Sequence, residues 1–282
     1  MTTHAVFASK IRKEEKDIFL ALERRQIPYE YVDSSKIGFH LHENRTQSYR
    51  NVLNRCISAY AGLYAMQCFE RLGIKTINHS SVIDTCMDKL KTSVILTKHH
   101  IPVPKTGVAF DCDSALHVIE EIGYPVVIKP LVGSWGRLLA KVNDRDAAEC
   151  ILEHKKTLGS PIHGIFYIQQ FIEKPERDIR ILIANHQIVG GMYRRSDHWI
   201  TNTAKQAVPE RCELDDTMIT LAQQAAHAVG GGLLAVDLIE NKHGEMWVNE
   251  INPTMEFKGF EQATGINVAD HIVDYMIKEC DS

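Results

Sequence analysis

At 282 residues, with 44% hydrophobic and 24% charged side chains, the chain carries enough apolar material for a large core and is too apolar for disorder. A formal net charge of −4 excludes a broad basic surface for nucleic acid, and no apolar run reaches the roughly 18–20 residues needed to span a bilayer. Seven scattered cysteines without a CxxC pair exclude a disulfide framework or zinc knuckle, and the early charges of MTTHAVFASKIRKEEK exclude a secretory leader, so a reducing cytoplasm is expected.

In chain order, HAVFA reads as a strand, Glu14 to Gln26 as a helix, YEYVD as a strand, residues 58–72 as a helix and IKTIN as a strand. That alternation predicts a small parallel α/β lobe. No G-x-G-x-x-G follows its first strand, which argues against a dinucleotide site there. One helix is expected from about Ser80 to His100, stopped by Pro102 and Pro104. TGVAF, a helix near Ser114–Ile122, PVVIKP, a glycine loop, LLAKV, a helix over 144–158 and the apolar run GIFYIQQFI come next. DIRILIANHQIVGGMYRR reads as a hairpin turning at Asn185–His186, and residues 215–229 as an amphipathic helix. LLAVDLIENKHGEMWVNEIN reads as a second hairpin turning near Asn241–Gly244, and a helix from about Ile266 to Lys278 closes the chain.

The second hairpin carries the sharpest chemical signal. Glu250 and Asn252 share a strand face, and a turn centred between Lys242 and His243 places Asp237 opposite Val248 and diagonal to Glu250. Two carboxylates and an amide oxygen are hard ligands suited to Mg²⁺. A solvated sheet face is the competing reading; the apolar flanks LLAV and MWV weigh against it.

Lys129 ends the apolar strand VVIK, where its charge requires an anionic partner, and residues 131–137 (LVGSWGR) offer backbone N–H groups to phosphate. The loop is not a Walker A sequence, and a plain turn remains the alternative. Asp178, Arg180, Arg194 and Arg195 occupy the strands of the first hairpin, with Arg180 expected opposite Gly191. Arginine forks suit carboxylate and phosphate; surface salt bridges are the alternative. His40/His42 and His99/His100 lack further ligands at suitable spacing and read as solvated.

Together, Asp88-Lys89, VIKP, GSWGR, YIQQFIEKPERDIR, YRRSDHWITN, AVDL and NEINPTMEFK resemble the RimK-related ATP-grasp ligases, and more closely the LysX/ArgX branch acting on the amino-group carrier protein LysW. The resemblance runs from about Ser9 to the final helix. It implies an α/β ATP-grasp fold: an N-terminal parallel lobe (1–88), then central (89–172) and C-terminal (173–282) mixed α+β lobes clasping the nucleotide. It further implies ATP and Mg²⁺ as cofactors, an acidic LysW-like carrier as partner, and a homodimer or tetramer.

Residue by residue, the resemblance assigns Lys89 and Lys129 to nucleotide phosphates, with Gly133, Ser134, Trp135, Gly136 and Arg137 closing over them. Gln169, Gln170, Phe171 and Ile172 would contact adenine and Asp178 would lie towards the ribose. Gln170 stands where the family commonly has Glu. Arg194 and Asn202 would meet the terminal phosphate, and Asp237, Glu250 and Asn252 would hold Mg²⁺. Arg180 and Arg195 would hold the acceptor tail or the amino-acid carboxylate, with Thr254 and Glu256 on the substrate side. Gly259-Phe260 resembles the glutamate-using (ArgX) type rather than the 2-aminoadipate-using (LysX) type, with Phe260 expected to shorten the side-chain pocket.

Overall fold

The computed structural model describes residues 3–42, 49–133, 136–158, 160–201 and 207–281. The first lobe holds strands β1 (Thr3–Ala8), β2 (Tyr29–Asp33), β3 (Tyr49–Asn54) and β4 (Lys75–Ile77), with helices α1 (Lys13–Arg24) and α2 (Ala59–Arg71) between them. The strands are parallel in the order β2-β1-β3-β4. The parallel lobe is as expected, but β3 was not legible: YRNVLN holds three charged or amide side chains beside one aliphatic pair, and pairing with β1 and β4 makes it a strand.

The helix expected over 80–100 is two, α3 (Ser80–Cys86) and α4 (Lys89–Lys98). Asp88 breaks it by accepting the backbone N–H groups of Leu90 and Lys91 at 2.8 and 3.1 Å, a cap at the α4 N-terminus. The break sets Lys89 at the first helical position, where its backbone N–H donates to the Leu131 carbonyl at 2.9 Å.

A second sheet comprises β5 (Thr106–Ala109), β6 (Val126–Lys129), β7 (Ala140–Val142) and β8 (Phe166–Gln170), antiparallel in the order β5-β8-β6-β7. Helices α5 (Cys112–Ile122) and α6 (Arg145–Thr157) cover one face, seating Ala115, Ile119, Ala148 and Leu152 on Val126, Ile128, Phe166 and Ile168.

The third sheet, β11-β10-β9-β12-β13, is antiparallel throughout: β9 (Arg177–Ala184), β10 (Gln187–Arg195), β11 (Val208–Cys212), β12 (Leu233–Glu240) and β13 (Met246–Asn252). One face bears Ile179, Ile181, Ile183, Leu234, Val236 and Leu238 and packs on α7 (Asp216–Ala228). Met218, Leu221, Ala222 and Ala225 give that helix its apolar stripe at the i, i+3, i+4, i+7 spacing. The other face changes character along its length. Leu182, Ala184, Met192, Leu233 and Ala235 are buried with residues of α1, α8 (Lys258–Thr264) and α9 (Val268–Asp281). Further along the same face the chain places Asp178, Arg180, Arg194, Asp237 and Glu250.

Both hairpins carry a bulge that alternation alone did not reveal. Asn185 and His186 have φ of +48° and +65°, as a two-residue type I′ turn requires, but β10 then slips by one residue at Val189. Arg180 therefore lies opposite Met192, not Gly191. In the second hairpin Leu238 pairs with Val248 and Asp237 with Glu250, leaving Asn249 as the extra residue. Asp237 is thus opposite Glu250 rather than Val248. No helix among the described residues is long and apolar enough to cross a membrane.

Candidate active site

A cleft of about 320 Å³ lies between the second and third sheets, and the first lobe contributes to its wall. Its floor is the polar end of the third sheet. Arg180 on β9 grips Asp237 on β12 with two parallel hydrogen bonds, Nε to Oδ1 and Nη2 to Oδ2, each 2.7 Å. One rung away Arg194 on β10 grips Asp178 the same way at 2.7 Å and reaches Asp237 Oδ2 at 3.0 Å. Planar forks meeting carboxylates in this fashion are the strong form of the ion pair. Burial pushes the Asp237 carboxyl up, but Arg180 and Arg194 outweigh it and hold it below the usual carboxylate range. Burial likewise opposes the Arg194 charge, and Asp178 and Asp237 more than restore it.

The Asp237–Glu250 rung brings the expected oxygen donors together. The Asn252 amide lies 3.5 Å from Asp237 Oδ2, and all three residues line the cleft. Asn249, pushed out of the ladder, lines it as well.

The facing wall comes from the second sheet. The Lys129 ammonium is buried and donates to Gln169 Oε1 at 2.5 Å and to the bulged Asn249 Oδ1 at 2.9 Å, so the two sheets meet through this lysine. Burial pushes its pKa down from 10.5 to about 7, and Glu250 offsets only part of the cost. Lys89 donates to the Gly133 carbonyl at 2.8 Å and lies 4.0 Å from Glu250. Gly136, Arg137, Gln170, Phe171 and Ile172 line the same cleft. Gln169 presents a side chain to Lys129 in addition to its backbone on β8.

Several sequence-derived residues fall elsewhere. Ser134, Trp135 and Asn202 lie outside the described residues. Arg195 pairs with Glu210 at 2.5 Å, both side chains half exposed, and is not among the cleft-lining residues. Phe260 is fully buried in the core, where its ring would lie 3.1 Å from a Cβ at Gly190, and Gly259 faces Pro209; neither lines the cleft. Thr254 and Glu256 do line it. Asp178 has both oxygens committed to Arg194 and one also to the Thr201 hydroxyl.

Among the contributors missed are Arg12, Lys174, Thr201 and Asn249. Lys174 donates to Thr201 Oγ1 at 2.7 Å, and burial lowers its pKa. The triplet DIR had marked its neighbourhood, but nothing local separates Lys174 from a surface lysine. His40, His42, His99 and His100 are exposed, away from the cleft.

The donor set of two carboxylates and an amide oxygen fits Mg²⁺, and the surplus of cationic over carboxylate side chains in the cleft fits a polyphosphate. Comparison with known proteins agrees with that chemistry. A RimK-like ATP-grasp domain model matches residues 86–276, and a LysX pre-ATP-grasp domain model matches residues 4–85.

The chain belongs to the RimK-like ATP-grasp family.

It is similar to the glutamate–LysW ligase ArgX of Sulfolobus acidocaldarius, 32% identical over 96% of this chain and 97% of that protein. It is also similar to the α-aminoadipate–LysW ligase LysX of Sulfurisphaera tokodaii, 37% identical over 79% of this chain and 78% of that protein. Among solved structures, a RimK-domain ATP-grasp protein of Sphaerobacter thermophilus superposes with a TM-score of 0.82 at 25% identity, covering 97% of this chain and 99% of that one. As a RimK-like ATP-grasp protein the chain is an ATP-dependent carboxylate–amine ligase using ATP and Mg²⁺.

Proposed function

We propose that this ligase joins the α-amino group of L-glutamate to the C-terminal Glu carboxylate of an acidic, LysW-like carrier protein. The observation that carries the reading is the Asp237–Glu250–Asn252 oxygen set beside Arg180 and Arg194, facing Lys89 and Lys129 across one cleft. The names of the relatives supply the carrier and the acidic amino acid. The three lobes are taken as 1–88, 89–172 and 173–282, with the nucleotide between the second and third.

Asp237, Glu250 and Asn252 would hold Mg²⁺, which screens phosphate charge and polarises the γ-phosphorus for attack. Lys89, Lys129 and the backbone of Gly133, Gly136 and Arg137 would orient the phosphates, and residues 169–172 the adenine. The carrier carboxylate attacks the γ-phosphorus and ADP leaves, giving an acyl phosphate. The amino-acid nitrogen then attacks the acyl carbon, phosphate leaves, and the amine surrenders a proton. Arg180 and Arg194 would offset the negative charge that accumulates in both steps, so positioning and charge neutralisation by the chain's own side chains would supply most of the catalysis.

Glutamate rather than 2-aminoadipate is favoured by the Gly259-Phe260 resemblance. Since Phe260 is a core residue, its influence on specificity would pass through the segment 253–258, which carries Thr254 and Glu256. Aminoadipate is the second reading, favoured by an identity to LysX relatives of 33–37%. The deciding experiment incubates purified carrier, ATP and each amino acid with the protein and weighs the carrier. A mass gain of one glutamate, with ADP formed in equal amount, is expected. A gain only with aminoadipate would transfer the assignment, and no gain with either would remove the carrier.

A further inference from the structure

Arg12, in the loop between β1 and α1, lines the cleft from the first lobe and has been given no task so far. Its backbone N–H donates to Glu15 Oε2 at 2.9 Å, while its Nε and Nη2 donate to Glu15 Oε2 and Oε1 at 3.0 and 2.9 Å. Glu15 is fully buried, and Arg55 holds it from behind through Nε at 3.0 Å. Arg55 in turn reaches Glu14 at 2.9 Å and the Met255 carbonyl at 2.8 Å. The Glu14 carboxylate accepts the backbone N–H groups of Phe257 and Lys258.

This bracing fixes one edge of the Arg12 guanidinium and ties the segment carrying Glu256 to the same frame. Burial pushes the Glu15 carboxyl up, yet Arg12 and Arg55 hold it below the usual range, so the anchor stays charged. The other edge is different. Nη1 faces Glu256 at 3.7 Å, outside hydrogen-bond range, and the two side chains are 29% and 44% exposed. An exposed pair at that distance is worth at most about 1 kcal/mol, so a carboxylate with better geometry displaces Glu256 readily.

We propose that Arg12 is a carboxylate-binding residue of the ligase cleft, its Nη1 edge taking a carboxylate of either the acidic amino acid or the acceptor's C-terminal end in place of Glu256. The inference rests on the ligase reading above. A pre-set guanidinium reads a planar carboxylate at little entropic cost, and its rigid frame fixes where that carboxylate sits relative to the phosphates.

The test measures KM for amino acid, carrier and ATP in Arg12→Gln, Arg12→Lys and Glu256→Gln beside the wild type. In Arg12→Gln, KM for one carboxylate substrate rises tenfold or more while KM for ATP stays within twofold; Arg12→Lys recovers part of the loss. A rise for the amino acid identifies that source, and a rise for the carrier identifies the acceptor tail. Glu256→Gln, at an exposed position that does not threaten folding, lowers the same KM two- to fivefold by removing the competitor. Unchanged KM values for both carboxylate substrates, or all three KM values rising together, would overturn the proposal; so would an unchanged or raised KM in Glu256→Gln. If wild-type protein forms no product, the ligase reading fails instead, which the parallel assay separates.

Discussion

Two guanidiniums hold Asp237 at the floor of the cleft, and both are themselves buried or nearly so. Removing one partner of a buried ion pair typically costs about 3–5 kcal/mol, because the other charges remain. Asp237→Ala is therefore expected to lose turnover and to lower the unfolding free energy by about that amount in a denaturant titration. Glu250 is a cleaner probe, since its side chain is 26% exposed and its nearest cation, Lys89, is 4.0 Å away. Glu250→Gln should abolish turnover while shifting the thermal midpoint by no more than about 2 °C; preserved turnover would remove it from the proposed Mg²⁺ site.

Lys129 gives the site a pH dependence. Its native pKa of about 7 lies far below the ordinary 10.5 because burial disfavours the charge. Between those values the unfolded chain binds a proton that the native one lacks. This lysine therefore makes stability rise with pH across that window and contributes no slope below it. Nucleotide phosphates would draw the proton back, so binding above pH 7 takes up a proton and weakens by up to about tenfold per pH unit. Calorimetric titration with ATP in two buffers of different ionisation enthalpy should report that uptake. Lys129→Met should abolish it.

At the scale of elements, the bulge in β13 decides what the hairpin presents. Regular alternation would give the cleft every second residue; the extra residue lets Asn249 and Glu250 both line it while Val248 stays in the core. Asn249 then becomes an acceptor for Lys129 across the cleft. Losing one such charge-assisted bond is worth about 1.5–3 kcal/mol at most, so Asn249→Ala should raise KM for ATP by at most roughly 10–150-fold and leave the fold intact. Equal ATP kinetics in wild type and variant would show that the Lys129 contact is incidental. The divided helix acts similarly: Asp88 stops α3 and starts α4, which aims Lys89 at the loop after β6.

For the whole molecule, the first lobe is not an appendage. Val6, Ile18, Leu22 and Leu53 share one core with Leu182, Phe257, Phe260 and Ile272. Asn78 joins the same two regions by polar contacts: its Nδ2 donates to the carbonyls of Leu233 and Pro253 at 2.8 and 2.7 Å, and its Oδ1 accepts the Leu233 N–H at 2.6 Å. Leucine there would strand three buried backbone groups at about 1–3 kcal/mol each. Asn78→Leu is expected to destabilise the whole chain by at least about 3 kcal/mol in one cooperative transition. A separate early transition of the first lobe would show that the lobes are energetically independent.

The sequence by itself determined the alternating first lobe, most strands and helices, and the family, and it singled out Lys129, Asp237, Glu250 and Asn252, which line one cleft. These depend on local periodicity and residue chemistry, which a single strand or turn already expresses. Tertiary structure alone decided the two bulges, the strand β3, and the arrival of Arg12, Lys174 and Asn249 at the cleft. It also decided that Arg195 pairs with Glu210 and that Phe260 belongs to the core. Each of these depends on register between distant segments: one extra residue in a ladder redirects every side chain beyond it, and no local pattern carries that information.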